Sequence, residues 1–539
     1  MRYNISMLFI LAVLPLLTLL FFVIALKQSA LFSGITSLIL LLVELFLAWG
    51  ITPARAVASS TKGLLVATEI TLIIFGALCI FEILKHLNLF DVVRRISFEI
   101  SRDLRVQVVL ITLCIVAFFE GAAGFGTPAL VAVPLLMSLG VGPLLAVSLV
   151  LLGDTVPVIF GAIGLPVTYG IASPLAGTLS SQMLASLTIK IAGLNILATI
   201  FIALAIAFVF VRSRRGTFSH FFAIIPFALC TSLVVSFSAL LVAYFVGPEL
   251  ASLVGGACGL TVMIIFAKHS VLTPKSCPAE FLIADQGIDA GEMIVTTSSR
   301  SVLKALSPYI ILVALLLLTR LPFLPFKSVL ESLGTISIPS ILNASIQYSF
   351  APFYSLAVIV LVALAISVIV LNIAHEAFLS ITKETIKRLV KPFLTLTVLL
   401  VFVQLLIYSG DNLSGFSSIP IVIAEGLGSK LGAVWPLVAP FVGALGAFVA
   451  GSATVSNLLF SELQYNTALV AGWGVIGVLA LQGMGAAFGN AIALHNVVAG
   501  LAVAEESGNE SVVIRKNITV VVIYLVLLGL LGMFIASVA

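Results

Sequence analysis

One feature constrains this chain more than any other. Apolar runs of about twenty residues return along its whole length, and each is long enough to cross a bilayer as a helix. Clear runs occupy 7–26, 30–51, 63–85, 187–211, 221–246, 248–267, 301–319, 352–372, 392–408 and 518–538. The chain is 61% hydrophobic and only 9% charged, whereas globular domains carry about a quarter charged residues. A soluble fold could not hide so much apolar surface. A membrane barrel would show short alternating strands instead. The sequence therefore predicts an all-α polytopic membrane protein with about 12–14 transmembrane segments.

The apolar run that starts near Met7 is too long for a signal peptide and reads as the first span. The long polar stretch, 268–300, divides the chain near its middle. It reads as a cytoplasmic linker between an N-terminal membrane half, 1–267, and a C-terminal half, 301–539. The segment 374–391 is polar on one side only and reads as a helix lying at the interface, as does 90–105. Basic clusters at 212–215 and at Lys383, Lys387, Arg388 and Lys391 place those ends inside the cell. The net charge of +4 gives no reason to invoke nucleic acid. Cys79, Cys114, Cys230, Cys258 and Cys277 form no CxxC pair, and neither a metal site nor a disulfide framework is implied. No Walker loop, HExxH or nucleophile elbow appears, so an ATP-driven pump and an enzyme are both unsupported. Nothing resembles the filter of a channel.

Two apolar regions, 106–166 and 434–503, are rich in Gly, Pro, Ser and Thr and resist division into plain spans. The first holds "FFEGAAGFGTP" at 118–128, with Gly121, Gly124 and Gly126 ahead of Thr127 and Pro128. The run from Val106 to Phe119 reaches only about 21 Å as a helix, short of a hydrocarbon core of about 30 Å. A re-entrant hairpin or discontinuous helix is expected there. A second interruption, "GDTVP" at 153–157, carries Asp154 and Thr155. The later half has "GSATVSN", with Ser452, Thr454, Ser456 and Asn457, and then "FGNAIALHN", with Asn490 and His495. Paired interruptions in two halves point to two inverted structural repeats. Laying Phe160-Gly161 over Phe488-Gly489 sets Asp154 over Gln482.

Irregular backbone at membrane depth is tolerated only where it is buried or lines a wet cavity. There it offers free N–H and C=O groups to a ligand. Glu120 and Asp154 are ionisable groups in such segments. Glu120 either carries a proton or caps the glycine-rich turn. Asp154 either titrates or caps the following helix. Thr127 and Thr155 either face a ligand or bond back to the preceding turn. The Ser452–Asn457 cluster exceeds what helix packing needs. His495, with Asn496, either relays a proton or is a satisfied buried histidine. Glu44, Glu69, Glu82 and Lys190 read as interfacial or helix-pairing residues.

The stretches "EGAAGFGTP", "PLLMSLGVGPLLAVSLVLLGDTVPVIFGAIGLPV", "GSATVSNLLFSELQ" and "GNAIALHNVV" resemble the L-lactate permease family over nearly the full length. That resemblance implies a proton-coupled carrier of lactate, glycolate or a related 2-hydroxy monocarboxylate in the prokaryotic inner membrane. It implies a small carboxylate substrate, lipid surroundings, and no cofactor beyond a coupling proton. A sodium-coupled carboxylate carrier of similar inverted-repeat design is the alternative. The family reads "NTAP" where this chain has Asp154-Thr155-Val156-Pro157, and "GSDT" where it has Gly451-Ser452-Ala453-Thr454. Some family versions carry Lys and Gln near Asn490 and His495. An acid has thus moved from the second motif to the first, and Asp154 is expected to take over its role. Glu120 and Asp154 are the proton-coupling candidates. Gly121, Gly124, Gly126, Thr127, Thr155, Ser452, Thr454, Ser456, Asn457, Asn490 and His495 are the substrate-binding candidates.

Overall fold

Runs of Leu, Ile, Val and Ala without water around them can satisfy their backbone groups only internally, so they coil into helices. The computed structural model describes residues 5–537 except 25, 27, 29, 88–99, 125, 284–306, 309, 313, 316–317, 320–325 and 507–508. Among the described residues, ten helices are long and apolar enough to cross a membrane, or eleven if a bent pair counts as one more. They are Leu31–Trp49, Pro53–Ile83, Leu104–Ala122, Ser181–Ser213, Phe218–Phe245, Ala251–Lys268, His375–Gly410, Ile419–Phe448, Val475–Leu501 and Glu510–Ile535. The sequence suggested about 12–14. Met7–Leu19 and Leu356–Val370 are apolar but shorter. The run at 301–319 lies largely outside the described residues.

The burial of these helices separates core from periphery. The most apolar window of Leu104–Ala122 is 100% buried and that of Val475–Leu501 is 89% buried, against 39–56% for the other eight. The two interior helices are the ones that carry Glu120 and Asn490. The outer helices turn Leu47, Phe237 and Phe534 outward, where lipid replaces water. Inside, helices approach through small residues. A Cβ on Gly443 would meet the Gln482 carbonyl oxygen at 2.3 Å, and one on Gly485 would meet that of Pro440 at 2.0 Å. Trp435–Ala450 and Val475–Gly489 are therefore in backbone contact, the approach that small residues permit in membranes.

Two expectations are corrected. The first arm of the suspected hairpin does not stop short. It begins at Leu104 and takes in Glu120, Gly121 and Ala122, giving 19 residues, or about 28 Å. Arg105 is held inside at its start by Asp103 at 2.6 Å, so the charge does not end the helix. Segment 374–391 is not a separate interfacial helix either. It runs without a break into the following span as His375–Ile407, with Pro392 inside. Arg388 pairs with Glu82 at 2.5 Å and anchors this polar half against Pro53–His86.

Both interruptions expected in the first half are present, the first of them starting past Ala122 and not past Phe119. Between Leu104–Ala122 and Thr127–Ser138 the chain leaves helical geometry. Pro143–Asp154 and Pro157–Ile171 meet at 53°. The start of the linker is folded back: Ile283 N–H donates to the Arg102 carbonyl at 3.1 Å, and Arg105 donates to the Ser276 carbonyl at 2.7 Å. Residues 284–300 of the linker and 90–99 of the earlier interfacial candidate lie outside the described residues.

Candidate functional site

Glu120 sits in the last turn of the interior helix and is 3% exposed. Beyond it Gly124 and Gly126 adopt φ of +62° and +81°. Only glycine takes those angles without strain, so this pair turns the chain out of one helix and into the next. The Thr127 hydroxyl donates to the Phe119 carbonyl at 3.3 Å and ties the restart to the helix it left.

Asp154 is the final residue of Pro143–Asp154 and is 5% exposed. It ends a helix and does not cap the next one. Asn490 Nδ2 donates to Asp154 Oδ2 at 2.9 Å, and Asn496 Nδ2 donates to Asn490 Oδ1 at 2.7 Å. The Glu120 and Asp154 carboxyls lie within hydrogen-bonding reach of each other. Glu120 Oε2 and Asp154 Oδ1 are buried and meet no N–H or O–H donor. An ionised carboxylate only accepts, so a direct bond between the two requires a proton held by one of them.

Gly161 makes room for this arrangement. A Cβ there would stand 2.1 Å from Glu120 Oε1. The next three residues, Ala162, Ile163 and Gly164, take φ of 44°, 59° and 76°, a left-handed turn. For L-residues that costs roughly 1–2 kcal/mol each. Backbone strain of this kind clusters at functional sites.

The second half closes the site. Gly451 ends Trp435–Ala450 at φ +69°, and Ser452 starts Ala453–Ala471 by accepting from the Val455 N–H at 3.4 Å. A cavity of about 30 Å³ results, lined by Glu120, Gly126, Val158, Gly161, Ala162, Pro166, Gly451, Ser452, Ala453, Thr454, Asn490 and Asn496. That is room for a water molecule or two. The N-terminus of a 19-residue helix opens onto it. First-turn N–H groups lack intrahelical acceptors, and the helix dipole favours an anion there.

Behind the wall runs an amide network. Gln482 Nε2 donates to Ser456 Oγ and Asn457 Oδ1, both at 3.3 Å, while Gln464 Nε2 donates to Gln482 Oε1 at 2.9 Å. Trp435 Nε1 donates to Gln464 Oε1 at 2.9 Å, and Asn457 Nδ2 donates to the Pro166 carbonyl at 3.0 Å. The network fixes the helices that bear Ser452 and Asn490 against the broken Pro157–Ile171 segment.

The residues read from the sequence thus divide. Glu120, Gly126, Ser452, Thr454 and Asn490 line the cavity, with Asp154 joined to them. Gly121, Gly124, Thr127, Thr155, Ser456 and Asn457 stand outside the lining. Gly121 packs on Leu253, and Thr155 bonds back to the Leu152 carbonyl at 2.7 Å. The side chain of His495 lies outside the described residues. Asn496 was visible only as its neighbour, and Gly161 only as half of a Phe-Gly match. Gln464 and Gln482 were legible as amides in apolar runs, a weak signal without known partners. Of the remaining ionisable groups, Glu69 accepts from Tyr169 at 3.0 Å and from Tyr348, while Glu44 is buried with both oxygens unbonded.

Facing carboxyls on broken helices, enclosed within a multi-pass helical bundle, define a polytopic membrane protein with an internal polar site. Membrane carriers build their sites at such interruptions. The L-lactate permease family profile matches residues 8–539, and the chain belongs to that family. It is 29% identical over 494 residues to a Haemophilus influenzae protein provisionally named an L-lactate permease, covering 87% of each chain. It is 26% identical over 558 residues to the L-lactate permease of Escherichia coli, covering 98% of this chain and 96% of that one. The glycolate permease of Escherichia coli is 25% identical over 565 residues, with the same coverage.

Proposed function

We propose that this protein is a multi-pass carrier of the prokaryotic inner membrane that moves L-lactate, glycolate or a related 2-hydroxy monocarboxylate together with a proton. The observation that carries this reading is the buried Glu120–Asp154 pair, its Asp154 held by Asn490, beside the N-terminus of Ala453–Ala471. The helix N-terminus and the Ser452 and Thr454 hydroxyls offer donors to a carboxylate. Two ionised carboxylates in the same space would repel that anion, since like charges are poorly screened away from water. Proton and anion therefore enter together, and loading leaves the net charge of the site unchanged. A cavity of about 30 Å³ is too small for a hydroxy acid, so the broken segments part during loading. The lactate and glycolate permeases among the relatives support the substrate class. On the same reading, 1–267 and 301–539 are inverted repeats joined by 268–300.

The test is uptake of labelled L-lactate and glycolate into proteoliposomes under an inward proton gradient, an inward sodium gradient, or neither. Accumulation under the proton gradient alone is expected, rising as the outside is made more acid. Accumulation under sodium alone would replace the coupling ion and leave the substrate class standing.

A further inference from the structure

A second cavity, about 260 Å³, lies apart from the Glu120 site. Lys62, Gln404, Tyr408, Glu462, Tyr465 and Asn466 form much of its polar wall. Lys62 Nζ donates to the Tyr408 hydroxyl at 2.6 Å and lies 4.9 Å from that ring's centroid. Among the described residues no carboxylate forms an ion pair with this ammonium. Gln404 is 1% exposed, and both atoms of its amide lack a partner. The buried Glu462 Oε2 lacks one too. Buried polar groups are normally paired, so unpartnered atoms on two residues of one cavity wall, a donor on Gln404 and an acceptor on Glu462, point to a ligand that meets them.

The two cavities share their supporting elements. Pro166, Ala453 and Thr454 line the first. Ser173, Leu175 and Thr178, just past the same broken segment, and Glu462, Tyr465 and Asn466, further along the same helix, line the second. Thr454 and Glu462 are separated by about 12 Å of helix. Seven residues before Lys62, Arg55 donates to the Tyr408 carbonyl at 3.0 Å and pairs with Asp411, whose side chain is 66% exposed. The Lys62 end of the cavity therefore lies toward the protein surface.

We propose that this cavity is a second binding site for the same small 2-hydroxy carboxylate. The Lys62 ammonium and the Gln404 amide hold its carboxylate, and Glu462 Oε2 accepts from its hydroxyl. The site receives the acid before it passes along Ala453–Ala471 to Glu120 and Asp154. This rests on the transport reading given above. The larger volume suits a whole hydroxy acid, where the inner cavity does not.

The test is L-lactate counterflow in proteoliposomes with wild type, Lys62→Met, Lys62→Arg and Gln404→Leu. Counterflow needs no ion gradient, so it is independent of the coupling ion. Wild type transports. Lys62→Met and Gln404→Leu raise the half-saturating concentration about tenfold or more, the scale of a lost charge-assisted bond. Lys62→Arg restores most of it, which a purely structural lysine contact to Tyr408 would not require. Glu462→Met, which removes the acceptor, narrows the preference for L-lactate over propionate, which lacks the hydroxyl. Unchanged half-saturation in Lys62→Met overturns the proposal. If that variant does not fold, unchanged half-saturation in Gln404→Leu overturns it instead. A wild type that carries no 2-hydroxy acid overturns the transport reading itself, and this ligand assignment with it.

Discussion

Glu120→Gln protein exchanges lactate but does not accumulate it. Glutamine keeps the size of the side chain and its place beside Gly161, so the fold and the cavity wall survive. The proton that a carboxyl pair can hold is lost. One-for-one coupling lets a gradient of two pH units sustain up to about 100-fold accumulation, since each unit is worth about 1.4 kcal/mol. In Glu120→Gln that ratio falls to passive equilibration, while counterflow of labelled lactate against unlabelled lactate continues. Asp154→Asn behaves alike, because Asp154 is the other half of the pair and accepts from Asn490 at 2.9 Å. Accumulation in proteoliposomes under an imposed proton gradient, read beside counterflow, checks both variants. An Asp154→Asn protein with full gradient-driven uptake would remove Asp154 from the coupling pair.

The second large effect comes from a single methyl group. Gly161→Ala places a Cβ 2.1 Å from Glu120 Oε1 and 2.9 Å from its Cδ. Glu120 cannot yield freely, because it is buried and Asp154 stands within hydrogen-bonding reach. The carboxyl must move or the left-handed turn at 162–164 must. Overpacking of this kind costs typically about 1–3 kcal/mol in stability. The functional loss is larger, since a displacement of about 1 Å at a reacting group can cost about 100-fold. Transport should therefore fall about 100-fold with only a modest fall in the thermal unfolding midpoint. Gly193→Ala is the control: it lies within Ser181–Ser213, and a Cβ there meets nothing within 4 Å. It should transport as wild type does. A fully active Gly161→Ala would show that the carboxyl is not held where the structure places it.

The architecture was legible because its cause is local. Each apolar run must close its own backbone bonds in lipid, and that alone gives spans near the observed helices. Glu120, Asp154 and the Ser452–Thr454 turn were legible for a related reason: an acid or a helix break inside such a run is costly unless a structure around it uses it. Helix ends are less legible than helix interiors. Glu120-Gly121-Ala122 looked like the break, yet the helix continues through it, and the glycines that break the chain are Gly124 and Gly126. The charges of 374–391 looked like an interface, yet Glu82 receives Arg388 and the helix runs on through Pro392. In both cases a tertiary partner decided the outcome. The Gln464–Gln482 network and the Lys62 cavity were beyond reach for the same reason. Positions 62, 173, 404 and 462 meet only after the chain has folded.

On the proposed function, Glu120 and Asp154 carry a proton with the substrate. The most direct measurement is proton movement itself. Proteoliposomes holding a pH-sensitive dye, with no initial pH difference, receive an inward L-lactate gradient and a permeant ion to clamp the voltage. The account predicts acidification of the lumen by wild type, roughly one proton per lactate, and none by Glu120→Gln although lactate still enters. Lactate entry without acidification in wild type, or acidification undiminished in Glu120→Gln, would contradict it.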